Sequence, residues 1–247
     1  MDDKINSLKE KLEDIYKQGW VESMSNGKGA IGITLEKLLN IKSGDFEVPD
    51  YELSIELKTK ASYFNNIHPL TLFSATCDGE NLFELRIIKD KFGIYLRNYN
   101  SKVLFANLYG NQYTNISRNY KARIFVNYFE ERIYLIIYNK HNIIVYNSAY
   151  WSFELLYNKL YKKLKVLAFI EADRKIINNK LYFKYKKVTI YKLKNFNTFL
   201  ELLNNGIICI NIKMGIYKNG PRVGKIHDHG TGFQILYSDL EKLFIKT

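Results

Sequence analysis

The chain of 247 residues has only two cysteines, only three prolines and no long apolar run. Cys77 and Cys209 lie far apart without a paired spacing, which argues against a disulfide scaffold or a zinc site and suits a reducing compartment. No stretch approaches the roughly 20 apolar residues that a bilayer crossing requires, and the charged N-terminus is unlike a signal peptide. We therefore expect a soluble, intracellular protein.

Acidic residues are few relative to basic ones. The chain has 37 Lys and Arg against 25 Asp and Glu, which leaves a formal net charge of +12. Such an excess gives information about binding partners rather than about the fold. It favours a polyanionic partner, either nucleic acid or an anionic membrane surface. Lys, Asn, Ile and Tyr are also the residues that an AT-rich genome encodes, so the charge alone identifies no partner.

Apolar periodicity predicts both helices and strands. Helical spacing occurs at 5–15, 27–39 and 150–164, and shorter helices are predicted at 196–206 and 238–244. Strand-like patterns dominate 53–146, including the segment LFELRII at 82–88, and return at 165–172, 181–193 and 207–217. These patterns predict a mixed α/β chain with a substantial antiparallel component, in one or two lobes.

Three of the 25 acids, Asp50, Glu52 and Glu56, lie with two lysines in one stretch, VPDYELSIELKTK at positions 48–60. Its residues alternate like a β-strand, in which neighbouring side chains point to opposite faces. The alternation directs four residues toward a core: Leu53, Ile55, Leu57 and Thr59. Ser54, Glu56 and Lys58 would then share the other face.

Two acids compete for the place beside Glu56. Pro49 cannot continue a central ladder, so we expect a bend at Asp50 where the strand begins. Asp50 lies on the same face as Glu56 if the extended chain is continuous, and Glu52 has the same parity. The residues alone leave both acids open as the first ligand of a metal site.

Two carboxylates and an ammonium on one strand face have a use in phosphoryl chemistry. Mg²⁺ prefers oxygen ligands and is held by one or two carboxylates, waters and a phosphate oxygen. Asp50 and Glu56 would supply such oxygens, with the backbone carbonyl of Leu57 as a third. Lys58 would orient or deprotonate the attacking water and offset phosphoryl charge. On spacing alone, an ordinary solvated strand face is the commoner explanation.

A second cluster of charge lies near the C-terminus, in IKMGIYKNGPRVGKIHDHGTGF. The pattern predicts a strand, a basic glycine loop and a second strand that begins near Gly232. Such a hairpin would suit a DNA groove, with five side chains for phosphates or base edges: Lys213, Tyr217, Lys218, Arg222 and Lys225. A solvated hairpin with a structural histidine is the alternative, and no further ligands stand near the histidines to make a metal site.

Several segments together resemble one nuclease family. The order GKGAIGITLEKLL, VPD and IELKT is similar to the PD-(D/E)xK nuclease pattern in its MutH and MvaI/BcnI branch. AYWSFELLYNKLYKKLKVLAFIEA and GIYKNGPRVGKIHDHGTGFQI resemble parts of the MvaI-type restriction endonucleases, in the same order and at similar distances. The likeness extends from Gly19 to about Ile235 and is weakest at 62–145.

The resemblance implies a type II restriction endonuclease that hydrolyses phosphodiester bonds in double-stranded DNA at a short specific sequence. It implies Mg²⁺ as cofactor, with Mn²⁺ able to substitute, and a monomer that nicks one strand at a time. A cognate DNA methyltransferase would be its genetic partner in a prokaryotic cytoplasm. The implied fold is a mixed α+β PD-(D/E)xK core, whose mixed central sheet is flanked by helices, in a two-lobed cleft.

The same resemblance assigns roles to individual residues. Asp50, Glu56 and Lys58 take the catalytic places, and Glu36 takes that of an accessory helix glutamate. Within one nuclease chain, 1–247, the catalytic lobe would include about 19–146, and a recognition segment would span about 207–236. Five residues fall where the family reads its site: Lys213, Tyr217, His227, Asp228 and His229.

The sequence departs from the family at two recognition positions. Lys213 and Gln234 stand where arginines that contact DNA are expected. Arginine reads guanine with a bidentate fork, whereas glutamine suits adenine. Family members recognise GC-containing, CCNGG-like DNA sequences. The departure therefore bears on whether this chain recognises such a sequence. Two other functions stay open: a MutH-like nickase of mismatch repair and a catalytically silent DNA-binding protein.

Overall fold

The structure is a computed structural model that describes residues 1–27, 29–41, 48–61, 69–78 and 84–247. The chain divides into two compact units. The first contains Met1–His68, Lys159–Lys194 and Leu240–Thr247, and the second contains Pro69–Asn158 and Asn195–Asp239. Most of the range 19–146, which the sequence grouped with the catalytic residues, therefore belongs to the second unit.

The described residues form six α-helices and fifteen strands. The helices are α1 (Asp2–Lys17), α2 (Ala30–Leu38), α3 (Glu84–Phe92), α4 (Phe153–Leu164), α5 (Phe196–Asn204) and α6 (Leu240–Leu243). The strands are β1 (Val21–Glu22), β2 (Glu56–Ala61), β3 (Pro69–Ser74), β4 (Ile94–Leu96), β5 (Ser101–Leu108), β6 (Thr114–Asn115), β7 (Tyr120–Asn127), β8 (Arg132–Asn139), β9 (Ile144–Tyr146), β10 (Tyr150–Ser152), β11 (Val166–Ile177), β12 (Lys180–Leu193), β13 (Ile208–Ile216), β14 (Ile226–Leu236) and β15 (Phe244–Lys246).

The first unit is built on a mixed sheet in the order β1-β12-β11-β2, with β15 paired to β12. β2 runs parallel to β11, while the other pairs are antiparallel. α1 packs an apolar stripe into the core of this unit, as its helical spacing predicts. The stripe consists of Ile5, Leu8, Leu12 and Ile15, all buried. The sheet and α1 thereby hold β2, which carries the last residues of the acidic stretch, at a fixed register beside β11.

The second unit contains two antiparallel sheets, β10-β8-β7-β6 and β3-β14-β13-β5-β4, with β9 paired to β8. Its core includes stacked Phe73 and Phe233 rings with centroids 4.9 Å apart. Trp151 is fully buried, and its indole nitrogen donates to the carbonyl oxygen of Ala75 at 3.1 Å. The β13–β14 pair belongs to this packed sheet, so its strands have a rigid base.

Three sequence predictions of secondary structure are wrong. The pattern predicts a strand at 82–88, of which 82–83 lie outside the described residues, but Glu84–Phe92 form α3 and bury Leu85, Ile88 and Phe92 at helical spacing. Seven residues are too few to distinguish the two periods. Positions 150–152 form β10 rather than the start of α4. β14 begins at Ile226, six residues before the predicted Gly232.

The predicted last helix is shorter than expected. Ser238 lies within a 3₁₀ turn at Tyr237–Asp239, and α6 that follows has only four residues. Mixed α+β organisation is confirmed, because parallel and antiparallel pairs coexist in one sheet and helices pack on it.

Candidate active site

The acidic stretch does not run as one continuous strand. Glu52 and Leu53 adopt left-handed backbone conformations, with φ of 48° and 54°. They form a tight turn closed by Tyr51 and Ile55, whose backbone amides each donate to the other's carbonyl, at 2.9 and 3.1 Å. β2 therefore begins only at Glu56. The prediction that Leu53 faces the core is wrong, since this side chain is 72% exposed.

The turn separates the two acids that competed for the place beside Glu56. The Oδ2 atom of Asp50 accepts a hydrogen bond from the backbone N–H of Leu57 at 2.9 Å, so this carboxylate lies against the first residues of β2. Glu52 is exposed, and its carboxylate lies 4.0 Å from the ammonium of Lys4 on α1. The structure thus brings Asp50, and not Glu52, to the start of β2.

Glu56 is buried to 1% exposure and faces two ammonium groups. Its Oε1 lies 2.6 Å from Nζ of Lys58 and 3.5 Å from Nζ of Lys163. Oε2 is also buried but has no hydrogen-bond partner. A buried carboxylate oxygen without a donor is costly, and such a group requires an explanation. Sequence reasoning missed Lys163, because its contact depends on how α4 and β11 meet β2.

The acids of this region share one electrostatic environment. Burial raises the pKa of Glu56, and the charge of Asp50 raises it further against the lowering effect of the two lysines. Burial also raises the pKa of Glu36 on α2, with the charge of Asp50 adding to it and Lys58 opposing it. We call Glu36, Asp50, Glu56 and Lys58 the acid–lysine cluster.

α2 brings Glu36 to the cluster because its first turn lies close to β2. A Cβ atom added at Gly32 would meet Oγ1 of Thr59 at 3.5 Å and Oε1 of Glu36 at 4.0 Å. Both distances are ordinary van der Waals contacts, so α2 packs closely against β2 at this point. All four residues that the resemblance placed in catalysis lie in the first unit.

The donor set of the cluster suits a hard divalent cation. Among the residues that the structure describes, no group of three or more His, Cys, Asp or Glu side chains is arranged to hold a metal. Mg²⁺, however, is typically bound through one or two protein carboxylates and keeps several waters. The unpartnered Oε2 of Glu56 and the nearby Asp50 carboxylate meet that requirement.

The C-terminal hairpin consists of β13, β14 and the loop between them. It presents positive charge at its surface. The loop is closed by backbone hydrogen bonds from Tyr217 to the carbonyl of Lys225 and from Gly224 to the carbonyl of Tyr217. Gly220 and Gly224 have positive φ, which this tight loop requires. Four exposed cations lie along the hairpin: Lys213, Lys218, Arg222 and Lys225.

Aromatic rings order the middle of this hairpin. Tyr217 and His227 stack with centroids 4.1 Å apart and planes within 5°, and His229 lies 3.8 Å from His227. Gly215 makes room, because a Cβ there would meet Phe105 at 3.0 Å and His229 at 3.6 Å. The three rings help line an open cavity of about 610 Å³.

The remaining predicted recognition residues lie in different environments. Asp228 is exposed, and its Oδ1 accepts from the backbone N–H of Gly230 at 2.8 Å. Gln234 is buried, and its amide nitrogen donates to Oγ1 of Thr71 at 3.0 Å. The structure therefore brings Asp228 to the surface of the hairpin but keeps Gln234 inside the sheet.

Comparison with known proteins identifies the family. A model of the MvaI/BcnI restriction endonuclease family matches residues 9–244. The chain belongs to this family. The resemblance stated from the sequence is thereby confirmed, and the chain is a site-specific deoxyribonuclease of a family whose members are typically metal-dependent. A search of curated protein sequences gives no match.

Two solved structures support the same assignment. The chain is similar to restriction endonuclease MvaI in complex with its cognate DNA substrate, with a TM-score of 0.87 and 32% identity. It is also similar to MvaI in the absence of DNA, with a TM-score of 0.64 and 29% identity. Each match covers 100% of this chain and 98% of the other. Within the described part of the chain, no helix is long and apolar enough to span a membrane.

Proposed function

We propose that the chain is a Mg²⁺-dependent type II restriction endonuclease whose acid–lysine cluster performs the hydrolysis. The observation that carries the proposal is the buried Glu56 carboxylate, which gives one oxygen to lysines and leaves the other without a donor. Asp50 lies beside it through the hydrogen bond to Leu57. Oxygens from both acids and the carbonyl of Leu57 would hold the cation, and Mn²⁺ would substitute.

Each residue of the cluster then has a task. Bound there, Mg²⁺ would acidify a water and stabilise charge on the phosphoryl group. The side chain of Lys58 is 24% exposed, so its ammonium is accessible to orient or deprotonate the attacking water and to offset phosphoryl charge. Glu36 adds negative charge beside Asp50, which favours occupation by a cation.

The C-terminal hairpin is proposed as the segment that reads DNA. Its exposed cations suit phosphates, which fix position without reading sequence. The second group suits base edges, because imidazole, phenol and carboxylate groups supply donors and acceptors: Tyr217, His227, Asp228 and His229. Gln234 is left out, because its amide is buried against Thr71. A short GC-containing site of the CCNGG kind is the recognition sequence to test first.

A cognate DNA methyltransferase is proposed as the genetic partner, because a host that carries a sequence-specific nuclease must protect its own sites. We also propose that the chain acts as a monomer and cuts the two strands in sequence. On supercoiled plasmid, a monomer that nicks accumulates open-circular DNA before linear DNA. A MutH-like role in mismatch repair would instead require mismatch-repair proteins for activity.

Digestion of a plasmid library tests the function. With Mg²⁺ the purified chain should produce discrete ends, and EDTA should abolish them, while Mn²⁺ restores them. Sequencing of the ends gives the site and the stagger together. Absence of cleavage across varied DNA, or cleavage that persists in EDTA, would refute the proposal.

A further inference from the structure

Lys163, on the last turn of α4, reaches the buried carboxylate of Glu56 from outside the acidic stretch. Its Nζ lies 3.5 Å from Oε1 of Glu56, and its side chain is only 16% exposed. A long cationic side chain is seldom this buried unless it is paired. Lys163 is therefore part of the site's structure, although it lies more than 100 residues from Glu56 along the chain.

Parallel pairing of two strands explains how it arrives there. β11 follows α4 directly and pairs with β2 in parallel, with Leu167 opposite Glu56. Lys163 precedes Leu167 by four residues, so the end of α4 lies next to the first residue of β2. Leu164, the next residue, is fully buried and fixes this last turn of the helix.

The two oxygens of Glu56 have unequal surroundings. Oε1 faces both Lys58 and Lys163, while Oε2 has no hydrogen-bond partner. An ammonium that turns toward a water or a phosphate weakens its other contacts, so Lys58 would hold Oε1 less firmly while it engages the substrate. A buried carboxylate that loses its partner is strongly destabilised. Lys163 remains within reach of Oε1 and compensates that loss.

We propose that Lys163 is a positioning residue, which holds Oε1 of Glu56 while Lys58 engages the substrate and thereby keeps Oε2 directed at the cation. This inference rests on the proposed function for the roles of Glu56 and Lys58. It assigns to the two lysines different tasks on one carboxylate. Lys163 itself need not touch DNA or the reacting atoms.

Three variants test the assignment by single-turnover cleavage at saturating Mg²⁺. Lys163→Met should slow cleavage roughly 10- to 100-fold, since small misplacements of a reacting group have effects of that size. Lys163→Arg should recover most of the rate, because it keeps the cation. Lys165→Met, at an exposed lysine two residues away, should cleave like the wild type. Affinity for DNA in Ca²⁺ should stay within about twofold for all three.

Two outcomes of the kinetic experiment overturn the proposal. Unchanged cleavage by Lys163→Met would show that the contact has no part in the reaction. A loss of DNA affinity that matches the loss of rate would make Lys163 a DNA contact instead. In that case Lys163→Arg would restore binding and rate together.

A metal-free readout separates this inference from the proposed function. Urea unfolding of Lys163→Met, Glu56→Gln and the double variant forms a thermodynamic cycle. Lys163→Met should destabilise the wild type but not the Glu56→Gln background, because the pair is already broken there. Additive effects would overturn the contact, and with it the inference, whether or not the chain cleaves DNA. A wild type that fails to cleave would refute the proposed function while this cycle still tests the contact.

Discussion

The acid–lysine cluster and the C-terminal hairpin differ in how they hold charge. In the cluster, Glu56 is 1% exposed and its charge is opposed by lysines at 2.6 and 3.5 Å. On the hairpin, the cations are exposed and spread along β13 and the loop that follows it. Buried, paired charge is sensitive to the loss of a single partner, whereas exposed charge acts in sum. We therefore propose the first region for the chemistry and the second for the attraction of DNA.

The largest effect that this contrast predicts is for Lys58→Ala. Cleavage should fall by about 10²- to 10⁴-fold, the usual contribution of a positioned acid or base, while DNA affinity in Ca²⁺ changes little. Quench-flow or gel assays of single-turnover cleavage measure the rate. Lys60→Ala, two residues along the same strand, is the matched control and should cut normally. Near-wild-type cutting by Lys58→Ala would make the assignment of this lysine wrong.

The second largest effect is expected at the two acids that compete as the first metal ligand, Asp50 and Glu52. Asp50→Ala should reduce cleavage by at least about 100-fold, because even the loss of a supporting partner of a metal ligand typically has effects of about 10- to 100-fold. Glu52→Ala should stay near the wild type, since its carboxylate lies by Lys4 in the turn. The measurement is cleavage rate as a function of Mg²⁺ concentration. The reverse order of effects would return Glu52 to the site.

On the hairpin, charge removal should weaken binding without slowing the chemical step. Lys218→Ala with Lys225→Ala should lower DNA affinity and reduce the slope of log K against log salt by about 0.9 for each lost phosphate contact. Cleavage at saturating enzyme should be retained. Lys9→Ala, at an exposed lysine on α1, is the control. An unchanged salt slope would exclude these lysines from DNA contact.

The smallest effect concerns stability and pH. The raised pKa of Glu36 means that its protonated form is favoured in the folded protein, so folding loses stability as pH rises above the ordinary value of 4.5. Glu36→Gln should therefore raise the Tm of the metal-free protein at pH 7 by about 1–3 °C, and the gain should vanish near pH 4. Differential scanning calorimetry measures it. A gain that is equal at both pH values, or equal in Glu10→Gln on α1, would contradict this account.

Part of the fold could be predicted because its signals are local. The stripe of α1 and the buried run of β11 appear directly in the periodicity of the sequence. The turn at Glu52 and Leu53 could not, because neither residue signals a positive φ as Gly or Asn would. An assumed continuous strand then placed Leu53 inside and left Glu52 open as a ligand.

The residues of the candidate site also differ in whether a local pattern predicts their positions. Glu56 and Lys58 share a strand face, and alternation alone places them together. Lys163 depends on the parallel register of β2 and β11, a pairing between distant segments that no local pattern reports. The burial of Gln234 depends likewise on β3, which supplies Thr71 as its partner. The contacts that could not be predicted from the sequence depend on pairing between distant strands rather than on local propensity.

In the proposed site, Oε2 of the buried Glu56 would hold the divalent cation. Binding of Mn²⁺, followed by the loss of the free-ion signal in electron paramagnetic resonance, tests it without DNA or turnover. Wild-type protein should bind Mn²⁺, and the isosteric Glu56→Gln variant should lose most of that binding, while Glu52→Gln retains it. Equal Mn²⁺ binding by the wild type and Glu56→Gln would contradict the account.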